Sequence, residues 1–509
     1  MTMSEGLSSR GGKTARILLL VSPLLIGCSS GGLSSSPEET STSSPIEETS
    51  PSIIESSSST ELPSTDSSEI ISVSSEEPTH PNQAANLLPY EEKKEDLKRT
   101  IFGYYPPTDR LGVQAMAEAG ITDVISTPWA CGYLEDRGHN YAKTLAEFGL
   151  NDYPFIGSKD ALLQADLFSP EWLQTQENVP GIYMCDEPFP TQMDMLASQV
   201  APFEEKLAGK TFLSCLLDPG GMAFTSAWPS SVRYSDYIDM YCEKVLEKLS
   251  GPKILMGDTY PLQTVNGKPV ISGHHLFTLM TWGATASKYG YGSNVCIMAD
   301  DAMIFEEPTM GSLRFQVNAL QAFGIQDYTI YTVDTPPSGV EEYRKAMWQN
   351  GGKTSIYNLV KQLNEENQAY SYLPLQFHYD GTAAFWPLVT PNDDIGYAYE
   401  KSAMDGLKSV NLEEGKFDVA ESAILEEFDA ESPALLAHYL DDKENEAFYA
   451  MNYSNPVHKG SSFFTFSFTK ADHAIVLRNG TYSDFPLTGN YLTLALEAGE
   501  GAFILPYQS

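Results

Sequence analysis

The chain has 509 residues, and its 68 acidic side chains outnumber its 31 basic ones, which gives a formal net charge of −37. An acidic chain of this kind is repelled by phosphate backbones and anionic headgroups, so nucleic acid and anionic lipid are disfavoured as partners and a neutral ligand is compatible. The six cysteines include no CxxC pair, and no group of residues has metal-ligand spacing. The sequence therefore predicts no metal site and no cofactor.

The first 28 residues have the features of an export signal. Three basic residues precede an apolar run from 17 to 26, which is too short for a membrane-spanning helix of about 20 residues. Leu25-Ile26-Gly27-Cys28, followed by small polar residues, resembles the bacterial lipobox. The resemblance implies that Cys28 is acylated by fatty acids such as palmitate, and we expect a lipid-anchored protein on the extracellular face of the cell membrane. The alternative is an ordinary signal peptide that ends near a chance cysteine.

Residues 29–96 are predicted to form a disordered tether. Residues 29–90 contain 20 Ser and 10 acidic residues without a single Lys or Arg. Such a segment has too little apolar surface to offset the entropy of ordering, and its like charges favour extension. Its role is either to hold a folded body away from the membrane or simply to add solubility. The leader carries a charge of +2 and residues 29–90 one of −10, which leaves −29 for the body.

Residues 97–372 alternate between short apolar runs and amphipathic helical stretches, which predicts a (β/α)₈ TIM barrel. The eight strand-like runs are 100–106, 121–128, 153–158, 179–188, 211–219, 253–261, 294–301 and 327–333. Several of them end in polar or aromatic residues, which would surround the mouth where barrel enzymes place their sites: Tyr104, Asp186, Glu187, Asp218, Asp258, Tyr260, Asp300, Asp301 and Tyr331. A doubly wound open sheet is the competing architecture. It would need a glycine-rich loop after the first strand, and this sequence has none there.

The sequence pattern of residues 373–509 predicts a small antiparallel β-sandwich. Short strand-like runs alternate with turn signals such as Asn479-Gly480 and Gly489-Asn490. The segment from Val410 to Asp441 is predicted to be helical or irregular. The cysteines after Cys28 lie mostly in apolar runs, so buried free thiols are favoured over a disulfide framework. His274-His275 is predicted to lie at the surface.

The sharpest local feature is Gly181-Ile-Tyr-Met-Cys-Asp-Glu-Pro188, where two carboxylates follow an apolar strand and a proline ends it. Burial and the neighbouring Asp186 would raise the pKa of Glu187, as a general acid requires. The alternative is structural, because acidic residues also favour the start of a helix.

The chain resembles the retaining glycoside hydrolases with (β/α)₈ barrels, the clan that contains families 5 and 42, and most closely bacterial glycoside-hydrolase-like lipoproteins. The motifs that carry this resemblance cover residues 100 to 509 and are Gly181–Pro188, Asp258-Thr-Tyr-Pro261, Ser312-Leu-Arg-Phe-Gln316, Ala322-Phe-Gly324, Gly351-Gly-Lys-Thr354 with Tyr357 and Leu363-Asn364, Met451-Asn-Tyr-Ser-Asn455 and Ala498-Gly-Glu-Gly501.

The resemblance implies that Glu187 is the catalytic acid/base at the end of the fourth strand. The clan has a nucleophilic Glu after strand seven, where this chain has Asp300 and Asp301, so Asp258 on strand six is a further candidate for the second carboxylate. The clan also has Asn where Asp186 stands, and Asp186 could accept the same hydrogen bond from a sugar hydroxyl. Aromatic residues that could stack on sugar rings, each also compatible with a core position, are Tyr104, Trp129, Tyr260, Trp282 and Tyr331.

The function favoured by these observations is a surface glycoside hydrolase that acts on a neutral oligo- or polysaccharide. The alternative is a non-catalytic carbohydrate-binding protein that keeps the barrel cleft. The substrate-binding lipoprotein of a transporter is disfavoured because it would lack a terminal β-sandwich. The expected partners are a carbohydrate and, through the anchor, a membrane, and no protein partner is predicted.

Overall fold

The computed structural model describes residues 81–126, 137–156, 169–223, 226–265, 268–300, 307–335, 345–386, 422–457 and 459–509. The leader, the tether as far as residue 80, Trp129 and Asp301 lie outside the described residues. Within the described ranges, no helix combines the length and the apolar character needed to cross a membrane.

Eight parallel strands form the barrel that the sequence predicts. They are β1 (Ile101–Tyr104), β2 (Asp123–Ser126), β3 (Asn151–Pro154), β4 (Gly181–Asp186), β5 (Thr211–Leu216), β6 (Ile254–Asp258), β9 (Gly292–Met298) and β10 (Asp327–Tyr331). Their order in the sheet is β3-β2-β1-β10-β9-β6-β5-β4. A parallel bridge between Phe155 and Tyr183 connects the two outer strands, so the sheet closes on itself.

Helices follow the barrel strands and cover their outer face. They are α2 (Arg110–Glu118), α3 (Arg137–Glu147), α4 (Pro170–Thr175), α5 (Met193–Ala197), α6 (Val200–Leu207), α7 (Tyr234–Lys244), α8 (Gly273–Tyr289), α9 (Met310–Gln321) and α10 (Ser355–Gln368). Two short hairpins accompany them, β7 (Leu262–Val265) with β8 (Lys268–Ile271), and β11 (Trp348–Gln349) with β12 (Gly352–Lys353). Because helices cover the outer face and side chains fill the inside, strands such as β5 are buried along their whole length and read as continuous apolar runs.

Trp282 belongs to this packing rather than to the mouth. Its side chain is 1% exposed and lies on α8, against the outer face of β6. Only a glycine at position 257 allows this contact, because a Cβ there would lie 2.0 Å from the Trp282 ring. The helical period of residues 273–289 therefore places this indole in the core, and we withdraw it as a sugar-stacking residue. His275, predicted at the surface, is also buried and contacts the Tyr453 hydroxyl at 3.1 Å.

The C-terminal part is the predicted antiparallel sandwich. A six-stranded sheet has the order β13-β15-β16-β21-β18-β19 and a three-stranded sheet the order β14-β17-β20. The strands are β13 (His378–Trp386), β14 (Leu425–Ala430), β15 (Ala434–Leu440), β16 (Glu446–Asn452), β17 (Ser461–Phe468), β18 (His473–Arg478), β19 (Thr481–Pro486), β20 (Tyr491–Glu497) and β21 (Gly501–Tyr507). Apolar side chains between the two sheets form a core of their own.

The prediction for Val410–Asp441 is wrong in its second half, where the structure has β14 and β15. Residues 434–440 (ALLAHYL) are buried on both faces and rich in Ala and Leu, so they lack the alternation by which a half-buried strand is recognised. Residues 410–421 lie outside the described part of the chain.

One apolar core runs from the barrel helices into the six-stranded sheet. Polar contacts reinforce it, since the Tyr449 hydroxyl donates to Asn318 Oδ1 at 2.8 Å and Asn318 Nδ2 donates to the Gly499 carbonyl at 2.8 Å. Arg314 makes two hydrogen bonds to Glu366, at 2.8 and 2.6 Å, which form a structural ion pair between α9 and α10.

The ordered body begins before residue 97. Residues 81–96, assigned from composition to the tether, form α1 (Ala84–Leu87) and a 3₁₀ turn (Leu88–Lys93). Asn82 Nδ2 donates to the carbonyls of Glu446 and Pro506, and the buried Tyr90 donates its hydroxyl hydrogen to Asp441. This segment therefore packs on the sandwich.

Candidate active site

The mouth at the carboxyl ends of the barrel strands contains a cluster of half-buried carboxyl groups. The register of β4 against β5 shifts between Tyr183 and Cys185, so the strand bulges there. The bulge turns Asp186 into the barrel, where it accepts hydrogen bonds from the hydroxyls of Tyr183 at 2.5 Å and Tyr104 at 3.3 Å. Burial raises the pKa of Asp186, and the two tyrosine hydroxyls oppose that rise because they stabilise the ionised form.

Glu187 is held in an unusual backbone conformation directly after β4. Its φ angle is +47°, a left-handed value that costs a non-glycine residue free energy. The contacts around it fix this conformation, because its N–H donates to the Cys215 carbonyl at 2.9 Å and the next carbonyl, of Pro188, accepts from the Tyr237 hydroxyl at 2.6 Å. The side chain is thereby directed to the position in the mouth where the carboxyl groups meet.

Asp258, the last residue of β6, is the direct partner of Glu187. Each of the two side chains acts on the pKa of the other. Burial, then the charge of Asp186, raise the pKa of Glu187 to about 8, although the interaction with Asp258 works in the opposite direction. Burial and then Glu187 raise the pKa of Asp258 well above its usual range. Asp218, after β5, adds to both shifts.

Two interacting, half-buried carboxyl groups cannot both ionise without a large energetic cost, so the pair holds at least one proton near neutral pH. A carboxylic acid that stays protonated at neutral pH can act as a proton donor, and a neighbouring carboxylate can stabilise positive charge. The Glu187–Asp258 pair therefore supplies a proton donor and a potential base or nucleophile at one position.

Aromatic rings form the wall of the mouth beside these carboxyl groups. Tyr331 is the centre of the cluster, with its ring centroid 5.7 Å from Tyr104, 6.0 Å from Tyr105 and 5.7 Å from Tyr260. Tyr260 and Tyr331 are partly exposed, whereas Tyr104 is buried. Flat rings of this kind can stack on the apolar face of a ligand, and their hydroxyls can form hydrogen bonds.

Asp300 lies in a different environment from Glu187 and Asp258. Its side chain is fully buried and accepts a hydrogen bond from the Thr332 hydroxyl at 3.2 Å. It lines a pocket beside the β7–β8 hairpin, and neither Glu187 nor Asp258 is among the lining residues of that pocket. Of the described carboxylates proposed as partners of Glu187, Asp258 is the one that acts on its pKa. Asp301 and Trp129 lie outside the described residues.

Sequence reasoning missed Tyr183 as a part of this mouth, whereas it expected Tyr105 there, beside Tyr104. Tyr183 precedes Asp186 by three residues, a spacing that puts side chains on opposite faces of a regular strand. Only the bulge brings the side chains of both Tyr183 and Asp186 into the barrel, and no residue in the motif predicts a bulge. Tyr105 is a residue with a φ of +53°, just beyond β1. His274 is a further unforeseen neighbour, because it lowers the pKa of Asp218 against the effect of burial.

No group of three or more His, Cys, Asp or Glu side chains in the described part of the chain is arranged to hold a metal ion. The four cysteines that are described carry free thiols, and Cys215 and Cys296 lie inside the barrel below the carboxyl groups.

No protein-family model matches the sequence, and no curated protein matches it. Solved structures similar to this chain include a GH27 β-L-arabinopyranosidase from Geobacillus stearothermophilus, with 10% identity, a TM-score of 0.44 and coverage of 82% of this chain and 98% of that one. A β-galactosidase from Marinomonas ef1 has 9% identity, a TM-score of 0.43 and coverage of 80% and 100%. The α-galactosidase I from Mortierella vinacea has 10% identity, a TM-score of 0.41 and coverage of 81% and 97%. At these identities and TM-scores, function has to be argued from the site itself.

Proposed function

We propose that this protein is a glycoside hydrolase that acts on a neutral oligo- or polysaccharide, with Glu187 as general acid/base and Asp258 as the second carboxylate. The observation that carries the proposal is the pair of interacting carboxyl groups of Glu187 and Asp258, with raised pKa values, at the aromatic mouth of the barrel. Glu187 holds a proton at neutral pH and donates it to the leaving glycosidic oxygen. The ionised form of Asp258 then stabilises the positive charge at the anomeric carbon, either as nucleophile or as the base that activates water.

The separation of the two carboxyl groups bears on the mechanism. The carboxyl groups of a retaining pair lie about 5–5.5 Å apart, and those of an inverting pair about 6.5–9.5 Å apart. In either case the glycosidic oxygen takes over the proton of Glu187. The anomer released first distinguishes a nucleophilic from a water-activating Asp258.

The test is turnover of aryl glycosides and of a glycan panel by the wild type, Glu187→Gln and Asp258→Asn. Loss of a positioned proton donor should lower kcat about 10²–10⁴-fold while binding persists. Glu205→Gln, on the exposed surface of α6, is the matched control and should leave turnover unchanged. Turnover that survives Glu187→Gln would refute the assignment.

The second candidate function is non-catalytic capture of a carbohydrate. It is favoured by one observation: burial and Glu187 raise the pKa of Asp258 well above its usual range, and a protonated Asp258 is neither a nucleophile nor a base. Binding of a glycan by the wild type without any turnover would establish this alternative.

We further propose that the body is attached to the extracellular face of the membrane through a lipid on Cys28, with residues 29–80 as tether. The proposal rests on the lipobox-like Leu25-Ile26-Gly27-Cys28 and the serine-rich composition. Labelled palmitate should enter the wild-type chain and not Cys28→Ser, and the variant should leave the membrane fraction. Membrane retention of Cys28→Ser without label would point to another mode of attachment.

A further inference from the structure

A second pocket lies between the barrel and the sandwich, next to the mouth. It has a volume of about 290 Å³ and lies between the β7–β8 hairpin, the end of β9, the start of α9 and the loop after β16. Pro261, Leu262, Val270 and Val457 contribute apolar walls, and Asp300 and Asn455 contribute polar groups. Nothing in the proposed reaction at Glu187 uses this pocket.

Asn455 is the feature that points to a ligand. Its side chain is 2% exposed, and its Oδ1 accepts the Val457 N–H at 3.1 Å, which fixes the orientation of the amide. The Nδ2 group has no hydrogen-bond partner among the described residues. An unsatisfied buried donor is destabilising, so an acceptor supplied by a ligand would recover stabilisation that the free chain lacks.

The other groups of the pocket define what that ligand is. The Asp300 carboxylate accepts hydrogen bonds, and the Asn455 amide donates them, so together they match neighbouring hydroxyl groups, of which one gives and the other receives a hydrogen. The apolar walls match the C–H face of a sugar ring. A volume of about 290 Å³ lies at the lower end of the usual range for ligand pockets, which fits one ring rather than a long chain.

An anionic ligand fits less well, because two acidic residues, Asp300 and Glu307, line the pocket against one basic residue, Lys459. The start of α9 also offers few free donors, since the N–H groups of Ser312 and Thr309 are satisfied by a capping box. A purely apolar ligand would leave the Asn455 donor unpaired.

We propose that this pocket is a subsite for a single neutral pyranose residue, recognised by Asn455 and Asp300. The inference rests on the proposed carbohydrate function in its choice of ligand class, and it gives Asp300 a binding role in place of the catalytic role suggested by its position after strand seven. A branch or a terminal sugar of the glycan would occupy the pocket while the bond to be cleaved lies at Glu187.

The test is calorimetric titration of the full chain with methyl glucoside, methyl galactoside and methyl mannoside, up to about 50 mM, where millimolar affinities still register. Tyr331→Ala removes stacking at the mouth and thereby identifies the component of binding that belongs there. Asn455→Asp keeps the acceptor for the Val457 N–H and removes the donor, and Val270→Trp fills the pocket. Each of these two variants should weaken the binding that remains in Tyr331→Ala, which belongs to the pocket, at least 10-fold. Asn490→Asp, an equal charge change in an exposed turn, is the control.

The outcomes separate this proposal from the proposed reaction. Glu187→Gln should abolish turnover and leave binding at the pocket unchanged, whereas a wild type without turnover would still bind the probe. The pocket proposal is overturned if none of the three glycosides binds, or if binding is unchanged in both Asn455→Asp and Val270→Trp. Tighter binding of glucuronate than of methyl glucoside would overturn the assignment of a neutral sugar.

Discussion

The Glu187 carboxyl group is kept protonated at the expense of stability. Its pKa is raised to about 8 in the folded chain, whereas an unfolded chain would lose this proton near pH 4.5. A carboxyl group whose pKa is raised by folding adds full stability only below its unfolded pKa, and this contribution is lost as the pH rises toward the folded pKa. The site is thus destabilising at the pH where a general acid would work.

We therefore predict that Glu187→Gln stabilises the protein at neutral pH. The amide cannot ionise, so the gain in the free energy of unfolding should be about 1–3 kcal/mol at pH 7.5. At pH 4.5 the wild-type carboxyl is protonated in the folded state and half protonated in the unfolded state, so the difference should shrink. Urea denaturation at the two pH values measures this, with Glu205→Gln on the exposed face of α6 as the control. A variant that is less stable than the wild type at pH 7.5 would contradict the explanation.

Tyr183 affects the ionisation of Asp186, the residue next to Glu187. Its hydroxyl stabilises the ionised form of Asp186, so Tyr183→Phe should raise the pKa of Asp186 and weaken its repulsion of a Glu187 carboxylate. The pKa of Glu187 should then fall, and the basic limb of the kcat/KM profile should move to lower pH. Tyr234→Phe, which removes a buried hydroxyl bonded to the Leu217 carbonyl, is the control for a purely structural loss. An unshifted profile in Tyr183→Phe would show that Asp186 does not set the pKa of Glu187.

Sequence reasoning reached part of this site. Glu187 and Asp258 were found because each follows an apolar barrel strand, and such positions converge at one mouth. The sequence could not decide between Asp258 and Asp300 as the partner of Glu187. The positions of these side chains depend on where each strand ends and on the direction of the loop that follows. Tyr183 was invisible for a related reason, since a single-residue bulge changes which face a side chain occupies.

The barrel strands were predicted well because they are buried on both faces and separated by amphipathic helices. β14 and β15 were missed because Ala and Leu, which favour helices, fill β15, and acidic residues occupy the exposed positions of β14. Composition also misassigned residues 81–96, because a few specific contacts, such as those of Asn82, order a segment whose sequence is only weakly apolar.

Within the sandwich, His438 on β15 bridges carboxylates on its two neighbouring strands. Its Nδ1 lies 2.5 Å from Asp380 on β13 and its Nε2 lies 3.1 Å from Glu446 on β16. Burial alone would lower the pKa of His438, but its hydrogen bonds and the charges of Asp380 and Glu446 outweigh burial and raise it to about 9. The protonated imidazolium therefore links three adjacent strands.

The stability of the sandwich should accordingly depend on pH. A histidine with a raised pKa contributes fully below its unfolded pKa of about 6.5, and the contribution is lost as the pH rises through about 9. His438→Gln should lower the free energy of unfolding by about 2–4 kcal/mol at pH 6, since it leaves buried carboxylates uncompensated, and by less at pH 10. Urea denaturation across this range measures the effect, and His473→Gln at the surface is the control. An equal loss at both pH values would mean that packing, not charge, explains the role of His438.

At the scale of the molecule, barrel and sandwich share one apolar core, so the mouth and the pocket at Asn455 are held by the same body. The N-terminal segment, residues 81–96, packs against the sandwich. Asn82 is 3% exposed, and its backbone N–H donates to Asn445 Oδ1 at 2.6 Å while its Oδ1 accepts the Glu446 N–H at 2.7 Å. The point at which the chain leaves the sandwich is therefore a fixed place on the fold.

The last prediction concerns this attachment point. Asn82→Ala removes side-chain bonds to Glu446 and Pro506 and leaves buried backbone groups unpaired, so the free energy of unfolding should fall by about 2–4 kcal/mol. Leu88→Ser, in the same segment but 72% exposed, should change it by less than about 0.5 kcal/mol. If the segment only lies on the surface, Asn82→Ala will unfold at the wild-type urea concentration. If the contacts of Asn82 hold the N-terminal segment on the sandwich, protease cleavage before residue 97 will increase in Asn82→Ala and not in Leu88→Ser. The reason is that local opening exposes this backbone.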